Sequence, residues 1–69
     1  MDNKIDLVVN DLISYSNVKK LSWMKVYKDI INKYDISYDD NIFLHNVIRE
    51  ISIRGYDIID KPFKLEKYK

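Results

Sequence analysis

The strongest signal along this chain is a spacing of three and four between apolar residues. Trp23, Val26, Tyr27, Ile30, Ile31 and Tyr34 recur at i, i+3, i+4, i+7, i+8 and i+11, while Lys25, Lys28, Asp29 and Lys33 take the other side. An α-helix turns once every ~3.6 residues, so the pattern predicts a helix over 23–34 with one buried and one wet face. Ser22 precedes it as a good N-cap, because a hydroxyl oxygen can accept from a free N–H of the first turn. Lys25 stands where Glu or Gln would reach back to the cap, so the capping box is incomplete.

A second stripe, Ile5, Val8, Val9, Leu12 and Ser16, predicts a helix over about 3–15, with Leu7 on its opposite face. Asp2 or Asn3 is its candidate cap, and Asp6 lies in the first turn, where the helix dipole favours an anion. Ser16-Asn17 opens a break. A third helix is expected to begin at Ser37 or Tyr38, with Asp39 and Asp40 in its first turn. It should run to about Arg54 and stop at Gly55, a natural C′ residue. Its expected core stripe is Leu44, Val47, Ile48 and Ile51. A second stripe of Ile42, Asn46, Arg49 and Ile53 lies on the reverse side and is unusually apolar for a wet face. Asp35-Ile36-Ser37 connects the second helix to the third, with Ile36 turned inward.

After Gly55 the period changes to two. Tyr56 and Ile58 alternate with Asp57, and Phe63 and Leu65 alternate with Lys64 and Glu66. Asp60-Lys61-Pro62 between them reads as a turn, so the chain ends in a β-hairpin. Leu21 and its neighbours are expected to add a short third strand, because an isolated hairpin is barely stable. The reading is α+β, mainly helical: three helices followed by a C-terminal β-hairpin, in a single domain over 1–69.

The order helix, short strand, helix, helix, hairpin is that of a winged helix, and Lys20 to Tyr68 resembles such a domain. Arg49-Glu50-Ile51-Ser52-Ile53-Arg54-Gly55-Tyr56-Asp57-Ile58-Ile59 resembles a third helix running into the wing. Leu21-Ser22-Trp23 and Gly55-Tyr56-Asp57-Ile58-Ile59-Asp60 are most similar to region 1.1 of bacterial primary sigma factors. The N-terminal domain of the RNA polymerase delta subunit is a looser match. The resemblance implies a winged-helix fold and a role in transcription. Two departures stand out: the stretch from Val26 to Ser37 is longer than in compact repressor motifs, and no Gly occupies the turn at Tyr34-Asp35-Ile36. Sigma region 1.1 is also strongly acidic, and this chain is not.

Composition narrows the chemistry. The chain has 69 residues, 46% hydrophobic and 33% charged, which is too apolar for a disordered tail. A domain this small buries only ~60% of its unfolded surface, and without cysteines it must fold on hydrophobic packing, its own or shared with a partner chain. The sole histidine, His45, cannot build a zinc site, no Gly-rich phosphate loop exists, and no nucleophile has a triad partner. No enzymatic activity, cofactor or small-molecule substrate is expected. The start lacks a signal peptide and the longest apolar runs are three residues, so a cytoplasmic protein with no membrane partner is expected. Ala, Thr and Gln are absent, and Ile and Lys abound. That bias suits a low-GC genome, and a 69-residue chain starting at Met1 is expected to be a phage or mobile-element protein or a small bacterial regulator.

Net charge is +1, but it is distributed in blocks. Residues 19–33 sum to +4 through Lys19, Lys20, Lys25, Lys28 and Lys33, and residues 61–69 to +3 through Lys61, Lys64, Lys67 and Lys69. Residues 1–18 and 34–60 are net negative. In a winged helix the start of the second helix and the wing both flank DNA, so lysines there would neutralise phosphates. Lys25, Lys28, Lys61 and Lys64 are the candidate phosphate contacts, and Asn41, His45 and Arg49 on the third helix are candidate base or phosphate contacts. Asp39 and Asp40 argue against deep groove insertion, because carboxylates repel phosphates. Ile42, Asn46, Arg49 and Ile53 form a candidate protein interface. The expected function is a non-enzymatic, nucleic-acid-associated regulator, of transcription foremost. The alternative is a protein-binding module that modulates host transcription machinery or another host factor. Partners are therefore duplex DNA or a host transcription protein, with a homodimer as a further option.

Overall fold

The computed structural model describes residues 3–16 and 20–68. In chain order it contains α1 (Asn3–Tyr15), α2 (Trp23–Lys33), α3 (Asn41–Ile53), β1 (Tyr56–Ile59) and β2 (Lys64–Lys67). This is the expected order of three helices and a C-terminal antiparallel hairpin. Asp2, Asn17, Lys19 and Lys69 lie outside the described residues, as does the capping role given to Asn3's side chain.

α1 is the central element and packs against α2, α3 and β2. Its apolar stripe does this work: Val8, Val9 and Leu12 are fully buried, and Leu7 on the other face is exposed. Each such side chain taken from water contributes about 1.5–3 kcal/mol before entropy is counted.

α2 buries Trp23, Val26, Tyr27, Ile30 and Ile31 as the spacing predicts. Ser22 is extended and its Oγ accepts from the Lys25 N–H at 3.4 Å. At the other end Asp35 adopts φ 60, the left-handed region that Asp tolerates better than most residues. The Asp35 N–H donates to Asn32 O (3.2 Å) and the Ile36 N–H to Ile31 O (3.0 Å), a Schellman closure. Asp35 therefore does what a glycine would, and Ile36 tucks against the core.

α3 departs from the expected boundaries and phase. It starts at Asn41, not at Ser37 or Tyr38. Residues 37–40 form a turn: the Asp40 N–H donates to Ser37 O (3.1 Å) and the Asp39 N–H to Ser37 Oγ (3.3 Å). Asp40 is the N-cap, accepting from the Phe43 N–H at 2.9 Å. Short carboxylates cap better than they propagate, so the pair lies before the helix rather than in its first turn. The buried stripe is Phe43, Val47 and Ile51, with Leu44 half-buried. Ile48, expected in the core, is 39% exposed. Phe43 is the largest apolar side chain of the helix, and turning it inward rotates Ile48 to the rim. Arg54 fixes this phase. It donates to Asp6 (3.1 Å) and Asn10 (2.8 Å) on α1 and to Glu50 (2.9 Å) on its own helix.

Gly55 takes φ 89 and its N–H donates to Ser52 O at 3.0 Å, which ends α3 and turns the chain into β1. β1 and β2 pair Tyr56 with Lys67, Asp57 with Glu66, Ile58 with Leu65 and Ile59 with Lys64. Phe63 and Leu65 are buried, and Phe63 lies against Trp23 with ring centroids 5.6 Å apart. The expected third strand at Leu21 does not form. Ser22 is already a helix cap and Trp23 is helical, so too little extended backbone remains for a ladder. Two backbone bonds replace it: Phe63 N–H to Leu21 O (2.7 Å) and Trp23 N–H to Asp60 O (2.8 Å). Ser16 Oγ accepts from the Leu65 N–H (2.7 Å), tying the end of α1 to β2.

Candidate interaction surfaces

The lysine candidates fall on α2 and the hairpin. The Trp23 N–H reaches both the carbonyl of Asp60 and its Oδ1 (3.2 Å), so the hairpin loop is fastened to the first residue of α2. Exposed Lys20, Lys25 and Lys61 therefore share one end of the molecule. Asp60, the acidic residue in that loop, spends its carboxylate on the helix N-terminus, where a negative charge is stabilised.

The other lysines have defined surroundings. Lys25 pairs with Asp29 at 3.3 Å, and Lys64 with Glu66 at 3.3 Å. Lys28 Nζ lies 4.1 Å from the centroid of the Tyr38 ring, a cation–π contact that joins α2 to the turn leading into α3. Lys25, Lys28, Asn32 and Tyr38 line an open cleft of about 370 Å³. Exposed pairs such as Lys25–Asp29 contribute little to stability, so an incoming phosphate can compete for them.

On α3 the exposed residues separate into two adjoining strips. Asn41 and His45 face outward. Ile42 (77% exposed), Asn46, Arg49 and Ile53 (65% exposed) share one flank, as their spacing predicts, with Arg49 at the seam. Tyr68 is exposed and donates its hydroxyl to Ser52 O at 2.7 Å, and Phe63 is core.

Two polar features were not foreseen. Asp11 accepts from Tyr34 Oη (2.6 Å) and Lys33 Nζ (3.0 Å), locking α1 to the end of α2. Burial pushes the Asp11 carboxyl up, but the Tyr34 and Lys33 hydrogen bonds outweigh it and hold the group below its ordinary value. Tyr27 is 1% exposed, and its hydroxyl has no hydrogen-bond partner among the described residues. Burial, followed by the Asp40 charge, pushes it up to about 12. Tyr27 lies in an otherwise apolar stripe, and a linear pattern gives no sign of whether a tyrosine's hydroxyl finds a partner.

Among the described residues no three His, Cys, Asp or Glu side chains gather as a metal site would need. Among the described residues no helix is long and apolar enough to cross a membrane. Comparison with known families, curated proteins and solved structures gives no match to this chain.

Proposed function

We propose that this domain is a non-enzymatic, cytoplasmic regulator that associates with nucleic acid, acts on transcription and uses a winged-helix-like fold. Duplex phosphates engage Lys25 and Lys28 on α2 together with Lys61 and Lys64 of the hairpin. Asn41, His45 and Arg49 of α3 make further contacts to the duplex. The observation that carries this reading is the double hydrogen bond from Trp23 to Asp60, which holds Lys61 beside α2 and removes the loop carboxylate from competition. Each phosphate neutralised releases condensed counterions, so affinity should fall steeply with salt.

The test is fluorescence anisotropy with a random-sequence duplex across a salt series. Lys28→Gln with Lys61→Gln should weaken binding to all sequences alike and flatten the log–log salt slope by about two units, one per lost contact. Unchanged affinity in that variant, or no binding by the native chain at low salt, refutes the reading. A second reading, a protein-binding module for host transcription machinery, is favoured by one observation, the exposure of Ile42 and Ile53 on one flank of α3.

A further inference from the structure

We infer that the outer edge of β1 takes an added strand from a partner protein, antiparallel, with a Lys or Arg of that strand opposite Asp57. The direction of the main-chain groups shows that this edge is open. On β2 the Leu65 N–H donates to Ser16 Oγ (2.7 Å) and the Phe63 N–H to Leu21 O (2.7 Å). Phe63 and Leu65 therefore turn their amides away from β1, and Lys64 and Glu66 turn theirs toward it. The Tyr68 N–H donates to Gly55 O (3.0 Å), which continues the alternation. Asp57 lies opposite Glu66 and Ile59 opposite Lys64, so Asp57 and Ile59 face β2. Tyr56 and Ile58 then present their N–H and C=O groups outward, and among the described residues nothing bonds to them there. Ser16 and Leu21 close the edge of β2, while the edge of β1 keeps its donors and acceptors free, the template on which a strand is added.

Register rejects a second copy as the occupant. A closed pair of identical edges is twofold symmetric and antiparallel, with outward residues meeting outward residues. Three registers bring β1 onto β1. Centred on Tyr56, the pairing sets Ile58 against the second copy's Arg54, whose N–H is held by Glu50 O. Centred on Ile58, it sets Tyr56 against the second copy's Asp60, whose carbonyl is held by the Trp23 N–H. Centred on Asp57, it sets two Asp57 carboxylates face to face in the close position of the ladder, with Cα atoms about 4.5 Å apart. Like charges directly opposite one another destabilise a sheet.

The same carboxylate selects a basic strand. Asp57 is exposed and already stands opposite Glu66. Glu66 is relieved by Lys64 at 3.3 Å, whereas Asp57 has no cation or donor of its own among the described residues. A Lys or Arg opposite Asp57 on the added strand supplies one. The residues on either side of that cation point to the other face, beside Tyr56 and Ile58, which are half-buried against the core. Apolar β-branched side chains suit that place. The partner is thus an extended apolar–basic–apolar stretch of a foreign chain. The main chain supplies affinity and Asp57 supplies specificity. The lysines proposed to meet DNA take no part, so this inference stands apart from nucleic-acid binding.

The test uses isotope-labelled full chain and the palindromic peptide acetyl-Thr-Val-Lys-Val-Thr-amide. β1 has four residues, so a short peptide binds weakly and is titrated to about 5 mM. In the free chain the Tyr56 and Ile58 amides should exchange with solvent about tenfold or more faster than those of Asp57 and Ile59. The peptide should shift and slow the Tyr56 and Ile58 amides. Glu in place of the peptide's Lys should weaken binding about threefold or more. Asp57→Lys should invert that preference, and Asp57→Asn should level it. Methylating both Val nitrogens should abolish binding, because those N–H groups donate to β1. Slow exchange of Tyr56 and Ile58 in dilute free chain overturns the inference, since the edge is then covered. Protection that rises with protein concentration alone also overturns it and would mean self-pairing. So does equal binding of the Lys and Glu peptides, or no change at Tyr56 and Ile58 at the end of the titration.

Discussion

Three isoleucines of α3 form a matched experiment on how that helix is turned. Ile51 is 1% exposed, Ile48 39% and Ile53 65%. Isoleucine to valine removes the same carbon from each, so chemistry is constant and only burial varies. A fully buried CH₂ contributes about 0.8 kcal/mol. At Ile51 a small cavity adds to that, giving about 1 kcal/mol, within the usual range for this change in a core. At Ile48 roughly 60% of the side chain is covered and the rim can relax, so the loss is about 0.5 kcal/mol. At Ile53 it is about 0.3 kcal/mol by the same scaling. For a domain of this size 1 kcal/mol moves the melting temperature by about 4–8 °C. Thermal and urea denaturation followed by circular dichroism should therefore rank the losses Ile51→Val, then Ile48→Val, then Ile53→Val, with an unchanged urea slope. A loss at Ile48 equal to or greater than that at Ile51 would mean that the helix buries the Leu44 and Ile48 face, and the placement of Phe43 in the core would fail.

Two further outcomes concern the polar groups. Tyr27→Phe removes a buried hydroxyl that has no partner among the described residues, a group that ordinarily costs about 1–3 kcal/mol, so the variant should melt higher than the native chain. Tyr27 is raised from 10.0 to about 12 in the folded chain, so its share of stability is complete below pH 10 and lost as pH rises through 12. Tyr27→Phe should weaken that alkaline decline, and a lower melting point would show that the hydroxyl is satisfied after all. Asp11 is lowered in the folded chain, so its contribution is present above the unfolded value near 3.8 and disappears as pH falls through the folded one. Asp11→Asn should be less stable at neutral pH and show a shallower acid transition, and an unaltered acid limb in denaturation curves would contradict the Tyr34 and Lys33 lock.

What the sequence made legible follows from periodicity. α2 and α1 each carry one apolar stripe against a charged face, so both their existence and their buried residues could be read. α3 is apolar on two flanks, and a pattern with two solutions does not choose between them. Phe43 and the reach of Arg54 to Asp6 and Asn10 decide the phase, and the second of these is a contact between residues more than forty positions apart. The start of α3 lies later than the pattern suggests because adjacent carboxylates are found both in first turns and as caps, and the Asp40–Phe43 bond shows that here the capping role wins. The left-handed turn was obscured because Asp35 fills it without a glycine. Of the candidate surfaces, the Ile42–Ile53 flank was legible as an eleven-residue spacing. The joining of Lys61 to α2 was not, since it rests on bonds between Trp23 and Asp60.

The most direct measurement of the central claim is a titration of isotope-labelled chain with duplex DNA at low salt, followed by amide chemical shifts. The account predicts progressive shifts at Lys20–Lys28 and Lys61–Lys64, with smaller ones around Asn41, His45 and Arg49, that reverse as salt is raised, and Ile53 among the least affected. Shifts confined to the Ile42, Asn46, Arg49 and Ile53 flank, or no shifts at all, would contradict it.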